Sequence, residues 1–416
     1  MITIRKYYLI AGLIAIAIFG LSLENCSQHE KAPANAAGQQ RFAGSQSCAR
    51  CHKDIYEQHL QSFHHLTSTP ANAQTLKGDF DSANKFIVNE HLLIAAEKKQ
   101  DSFYQTAYSY GEPKLSRPFN MVVGSGKRGQ TSIYWFHNYL FQLPLTWFSE
   151  TNEWTISPGY SRKVDFNRSI TARCLECHST YFQETTNKDS KADEFSRTNL
   201  ILGVECEKCH GPGLDHIAFE ERNPADNAGR ASEHNPADNA GHAIFNPAKG
   251  TRQQSLDLCR LCHGGALTKS KPSFSFQPGD KLFDFFYPDT AKPASQIDVH
   301  GNQYGMLAAS KCFKNSQMTC LSCHDAHKNE SALAVQFYVK CEACHKSTTH
   351  NDCKLASTVS REVLRTNCIN CHMPEEASKA IMVIRQGQEI PTSAHMRAHY
   401  IAVYNDISKQ VLSVQK

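Results

Sequence analysis

The sequence predicts a mainly α chain with much irregular structure, interrupted by one β-rich insertion. Two observations carry this. The pattern Cys-x-x-Cys-His recurs seven times in 416 residues, in a chain that otherwise reads as helix and loop. One interval, between the first and second copies, is a different kind of sequence, rich in aromatic and β-branched residues punctuated by Gly and Pro. The length is ample for two or three domains and a buried core. Charged residues make up 20% and the formal net charge is only +4, so no polybasic surface argues for nucleic acid. The hydrophobic share of 40% includes one stretch able to span a bilayer, which excludes a polytopic membrane protein.

That stretch opens the chain. Arg5 and Lys6 precede an apolar run over residues 7–23, and Glu24 and Asn25 end it. Residues 1–25 therefore read as a signal peptide or membrane anchor, and the polar residues 26–41 as a flexible tether. Cys26 stands where a bacterial lipoprotein carries its lipidated cysteine, although Glu24 and Asn25 replace the small residues of a lipobox and only Leu23 matches. Three outcomes stay open: lipidation at Cys26, an uncleaved single-span anchor, or ordinary signal cleavage. Each places the protein outside the cytoplasm, in the bacterial periplasm or cell envelope, and the first two attach it to a membrane.

Residues 42–84 hold the first motif, followed by a segment of helical character over 53–67. Residues 85–160 form the β-rich insertion, with strand-like runs at 85–88, 103–110, 119–123, 131–135 and 139–148. All three tryptophans, Trp135, Trp147 and Trp154, lie there. The insertion contains Gly124-Ser-Gly126-Lys-Arg-Gly129, a formal dinucleotide fingerprint, but a strand-like run follows where that motif needs a helix. A hairpin turn is the reading. Residues 161–416 carry the remaining six motifs and a C-terminal tail. Within them, a seven-residue repeat at 223–229 and 235–241 is too short for a solenoid unit and reads as a loop duplication.

The motifs are Cys48-Cys51-His52, Cys174-Cys177-His178, Cys206-Cys209-His210, Cys259-Cys262-His263, Cys320-Cys323-His324, Cys341-Cys344-His345 and Cys368-Cys371-His372. A shuffled chain of this composition would hold about 0.04 copies. They consume 14 of the 17 cysteines and leave Cys26, Cys312 and Cys353. In a c-type haem site two thiols add across the two vinyl groups of one haem, and the following histidine sits under the iron as proximal ligand. Zinc would use four ligands in paired half-sites and has no need of a histidine after every second cysteine. The expected cofactors are seven covalently bound c-type haems with their iron. Each haem adds two propionates and one ferric core charge, so the +4 of the polypeptide becomes about −3 when loaded.

Of the 21 histidines, seven are proximal and His29 lies in the tether, so thirteen remain for seven distal positions. His64 follows His52 by twelve residues, about 18 Å along a helix, so it belongs to a neighbouring haem. His327 follows His324 by three, on the same helical face, and also belongs elsewhere. His216, beyond a Gly-Pro-Gly turn, and His350, beyond His345, can serve in the same way. His300 and His395 follow no motif closely and complete the first choices with His64, His216 and His327, and His350 and His65 stand behind them. His59, His91, His137, His234, His242 and His399 read as bystanders.

The segments Cys48-Ala-Arg-Cys51-His52 with Ser62-Phe-His64, Gly203-Val-Glu-Cys206-Glu-Lys-Cys209-His210-Gly-Pro-Gly with His216, Met318-Thr-Cys320-Leu-Ser-Cys323-His324-Asp-Ala-His327 and Cys368-Ile-Asn-Cys371-His372-Met-Pro resemble multihaem cytochromes of the cytochrome c-554 type. That group is related to pentahaem nitrite reductase and octahaem hydroxylamine oxidoreductase. The resemblance covers about two thirds of the chain. It implies a mainly helical fold with little regular structure, haems in stacked pairs, an exported protein, and His64, His216 and His327 as distal ligands. Relatives include carriers and enzymes.

Seven haems at about 59 residues each must lie close together, which favours an electron carrier in a respiratory pathway over a catalyst. Its expected partners are redox proteins, a quinol dehydrogenase or other cytochromes. The alternative is an oxidoreductase of small nitrogen or sulfur compounds with one open haem. The lysine that replaces the proximal histidine in nitrite reductases is absent from all seven motifs. A third class is an adaptor whose insertion binds a partner through Tyr134, Trp135, Phe136, Tyr139 and Phe141, residue types more often found in a core.

Overall fold

Two short helices, α1 (Ser45–Cys48) and α2 (Lys53–His59), lead through a 3-10 turn at His65–Thr67 into strand β1 (Ser68–Pro70). The computed structural model describes residues 41–80, 84–160, 165–185, 192–222, 244–288, 292–330, 334–345 and 353–413, and those from Phe42 onward form one unit.

The aromatic-rich region folds as a β-sandwich. Strands β2 (Lys85–Asn89), β3 (Leu92–Lys99), β4 (Ser102–Ser109) and β5 (Glu112–Phe119) form an antiparallel meander in that order. Between β4 and β5, Tyr110 and Gly111 have φ of 53° and 81°, the left-handed backbone that a two-residue hairpin turn requires. The second sheet is built from β6 (Met121–Val123), β7 (Gly129–Phe136), β8 (Tyr139–Phe148), β9 (Glu153–Ile156) and β10 (Arg168–Ser169), ordered β1-β6-β7-β8-β10 with β9 also on β8. The glycine-rich segment is the β6–β7 hairpin turn, and a Cβ on Gly124 would strike the Gly129 carbonyl.

Phe86, Ile94, Phe103 and Phe119 of the first sheet pack against Leu143, Leu145, Trp154 and Ile156 of the second. Pro144 has no N–H to donate, and β8 shifts register there, with Thr131 opposite Thr146 but Ile133 opposite Gln142. Beside this bulge, the fully buried Gln105 donates Nε2 to the Leu145 carbonyl and accepts the Leu145 N–H, both at 2.8 Å. One side chain thus satisfies two backbone groups and ties the sheets together. The sandwich extends beyond 85–160, since β1 and β10 belong to it.

The remaining chain corrects the expected fold class. It is not mainly α: helix takes about 30% and strand 29%. After α3 (Ala172–His178) come β11 (Ser179–Glu184) and β12 (Phe195–Leu202), a bulged antiparallel pair. Helices α4 (Cys206–His210), α5 (Leu214–Arg222) and α6 (Arg252–His263) follow, then the two-residue strands β13 (Thr268–Lys269) and β14 (Phe286–Tyr287). Thr251 and Gln254 close a capping box on α6. Helices α7 (Gln303–Ala309), α8 (Lys311–Lys314), α9 (Ala334–Glu342) and α10 (Arg361–His372) precede a hairpin, β15 (Glu375–Val383) and β16 (Thr392–Arg397), and helix α11 (Asn405–Ser413).

The physical reason lies in the motifs. Each needs only one helical turn, so helices run 4 to 12 residues and the segments between them pair as strands. The tail also returns to the sandwich. The Ile156 N–H donates to the Ile384 carbonyl at 3.0 Å, and Phe148 packs on Val383 and Ala394.

Candidate haem centres

Every Cys-x-x-Cys-His motif closes one turn of helix. His178, His210, His263 and His372 are the last residues of α3, α4, α6 and α10. In the other three the backbone N–H of His52, His324 and His345 donates to the carbonyl of Cys48, Cys320 and Cys341 at 2.9, 3.0 and 2.9 Å. Residues three and four apart share a helix face, so both thiols and the imidazole of a motif converge. None of the fourteen cysteines is in a disulfide.

Among the described residues, the Nδ1 atoms of His178, His210, His263, His324 and His372 are each engaged by an oxygen. The partners are the carbonyls of Phe245 for His210 and Ala402 for His372 (both 2.8 Å), and Glu330 Oε2 for His324 (2.9 Å). Thr67 Oγ1 serves His178, and Gln303 Oε1 serves His263, both at 3.2 Å. An Nδ1–H donated to oxygen selects the tautomer whose Nε2 is free to bind a metal.

Three of these imidazoles face a histidine from elsewhere in the chain. Ring centres are 6.4 Å apart for His263 and His64, 6.1 Å for His210 and His327, and 6.2 Å for His324 and His399. Two metal–nitrogen bonds of about 2.0 Å, plus about 1.1 Å from each nitrogen to its ring centre, give about 6.2 Å across one axially ligated ion. The separations fit an iron between each pair. The partners' Nδ1 atoms point away from the pairing as well, His64 to the Ala326 carbonyl (3.4 Å) and His399 to the Arg397 carbonyl (3.1 Å).

Burial pulls the imidazole pKa of His178, His263 and His399 down to about 4, helped by the neighbouring His300, His64 and His324 respectively. Burial likewise lowers His64, His210 and His300. These rings are neutral at pH 7, the form that ligates iron.

The motifs also touch one another. Cys48 lies beside Cys206, Cys177 beside Cys262, and Cys259 beside Cys320. Helices α3 and α6 cross closely, Arg173 donating to the Leu261 carbonyl at 2.7 Å, and beyond α6 the buried Glu176 accepts the Phe274 N–H at 2.8 Å. The first motif thus meets the third, and the fourth meets both the second and the fifth.

His300 lies within electrostatic reach of His178, and His52 and His216 both lie within reach of His210. His216 Nδ1 stands 3.8 Å from Glu220. His395 is directed elsewhere, its Nδ1 3.5 Å from Glu150 Oε2 with the side chain 55% exposed. His65 binds Glu205 at 2.6 Å. His350 lies outside the described residues. His399, which the sequence sets among the bystanders, instead stands with its ring facing that of His324. It stands well beyond the last motif with no local signal.

Residues 149–211, which include the second and third motifs, match the cytochrome c554 and c-prime family. No curated protein matches the chain. A similar solved structure is the outer cell wall cytochrome OcwA, with a TM-score of 0.52 and 14% identity over 89% of this chain and 81% of that one. At that identity the likeness is one of fold. Motifs, segment and fold together define the class of the protein, a multihaem c-type cytochrome. Among the described residues no helix is long and apolar enough to cross a membrane, and the apolar run at 7–23 and Cys26 lie outside them.

Proposed function

We propose that the protein is an exported seven-haem electron carrier of the cell envelope, passing electrons along a haem chain to and from other redox proteins. The observation that carries this is the crossing of histidines between motifs. His64, close behind the first motif, meets the fourth; His327, beside the fifth, meets the third; His399, from the tail, meets the fifth. A residue anchored at one centre that closes another holds both at short range. Bound haems supply one-electron redox chemistry, and a closely spaced set conducts. The chain's contribution is to fix the imidazoles through their Nδ1 partners, keep them neutral and bring the motifs together. The fold shared with an outer cell wall cytochrome is in keeping with export, and Cys26 with a lipid anchor.

A second reading keeps one iron open for a small nitrogen or sulfur compound. It is favoured by a cavity of about 440 Å³ lined by Tyr338, Arg361, Glu362 and Arg365, residue types that bind and protonate anions. The cavity lies between α9 and α10, which carry Cys341 and Cys368. Carbon monoxide on the fully reduced protein, with nitrite and hydroxylamine turnover, separates the two. The carrier binds almost none and turns over neither; one carbon monoxide per chain with turnover establishes the enzyme.

A further inference from the structure

Apart from the paired histidines, a second group of donor atoms meets where the first and third motifs touch. His59 ends α2, His65 opens the following 3-10 turn, and Glu205 immediately precedes α4. The segments are docked by backbone: the Val204 N–H donates to the His64 carbonyl at 2.9 Å, and Gly203, at φ 70°, lies against the His65 carbonyl where a Cβ would collide. His59 is 6% and Glu205 8% exposed. His65 Nδ1 stands 2.6 Å from Glu205 Oε1. His59 Nε2 faces Glu205 Oε2 at 3.5 Å, and neither of these buried atoms makes a hydrogen bond. Ser62 orients the pair, its hydroxyl 3.4 Å from His59 Nδ1 and accepting the His65 N–H at 3.1 Å.

Buried polar atoms left unpaired are costly and call for an explanation. Here two such atoms converge on each other, and the ligand atoms of all three residues lie within 4.8 Å of one another. In a tetrahedral site with bonds of about 2.0 to 2.1 Å, neighbouring ligand atoms are about 3.4 Å apart. The gap of 3.5 Å between His59 Nε2 and Glu205 Oε2 is that edge.

We propose that His59, His65 and Glu205 form a non-haem site for one borderline divalent cation of the zinc class. Two imidazoles and one carboxylate select such an ion over calcium or magnesium, which take oxygen ligands. Water fills the fourth position. Binding releases the one proton shared by His65 Nδ1 and Glu205 Oε1 to solvent, leaving both as ligands. The ion clips the segment around the first motif to the residue preceding the third, and its charge raises the reduction potential of the adjacent haems.

The test uses the haem-loaded protein, stripped with a chelator and dialysed against zinc, with zinc and haem iron counted separately. One zinc per chain is expected, bound at least tenfold more weakly by His59→Ala and by Glu205→Gln. His91→Ala, an exposed histidine beside Tyr110, should bind as the wild type does. Zinc should also lift part of the haem redox titration of the wild type and leave that of Glu205→Gln unmoved. Wild-type protein that takes up no zinc refutes the proposal without recourse to variants. Equal binding by the wild type and both site variants refutes it as well, and leaves a hydrogen-bonded triad.

Discussion

Replacing His399 by alanine should open one haem and leave six closed. The ring of His399 stands 6.2 Å from that of His324, so its removal leaves the fifth motif without an opposite imidazole. With seven motifs, about one seventh of the ferric haem should turn from low spin to high spin, and the reduced variant should bind one carbon monoxide per chain. The chain should stay folded. The side chain contributes one hydrogen bond, to the Arg397 carbonyl at 3.1 Å, worth about 0.5–1.5 kcal/mol, against about 5–15 kcal/mol for a typical domain. The assay is the carbon monoxide difference spectrum of the dithionite-reduced variant, with electron paramagnetic resonance of the oxidised form. His399→Met should keep six ligands and raise the potential of that haem, since a Met/His pair favours the reduced state. His91→Ala, remote from any motif, should change neither reading. A His399→Ala protein with its full haem complement that binds no carbon monoxide refutes the pairing.

Three further outcomes follow from other parts of the structure. His327→Ala should open the haem of the third motif, whose His210 it faces at 6.1 Å, and combining it with His399→Ala should give two carbon monoxide molecules per chain. Gln105→Leu leaves the Leu145 N–H and carbonyl buried without partners, so chemical denaturation should show a loss of about 2–4 kcal/mol while the haem spectrum is retained. Burial pushes the Glu205 carboxyl up, but the adjacent His59, the hydrogen-bonded His65 and Ser45 outweigh it and pull the pKa from 4.5 to about 2. A carboxylate depressed in the folded state stabilises above its ordinary pKa, so about 3 kcal/mol should be lost as pH falls from 4.5 towards 2. Acid titration of stability should lose that component in Glu205→Gln.

The motifs were legible because covalent attachment confines two thiols and one ligand to five consecutive residues. Their partners are set by tertiary packing. His64 and His327 could be selected because each sits so close to its own motif that it has to serve another. His399 has no such neighbour, and the choice between it and His395 depends on how the β15–β16 hairpin seats on the sandwich. The sandwich itself showed in its aromatic and β-branched runs. Strands such as β13 and β14, two residues each, or β15, which reads Glu-Glu-Ala-Ser-Lys, carry no alternation strong enough to announce them. Nor does a sequence show that Ser68–Pro70 and Arg168–Ser169, on either side of the aromatic region, complete its second sheet.

The central claim is that seven haems act as one connected store and path for electrons. A coulometric reductive titration of the mature protein, referred to its concentration, tests it most directly. The account predicts that one chain takes up seven electrons, one for each motif, with every haem reached from a single redox partner. Fewer than seven electrons, or a fraction of haem that the partner cannot reduce, would contradict it.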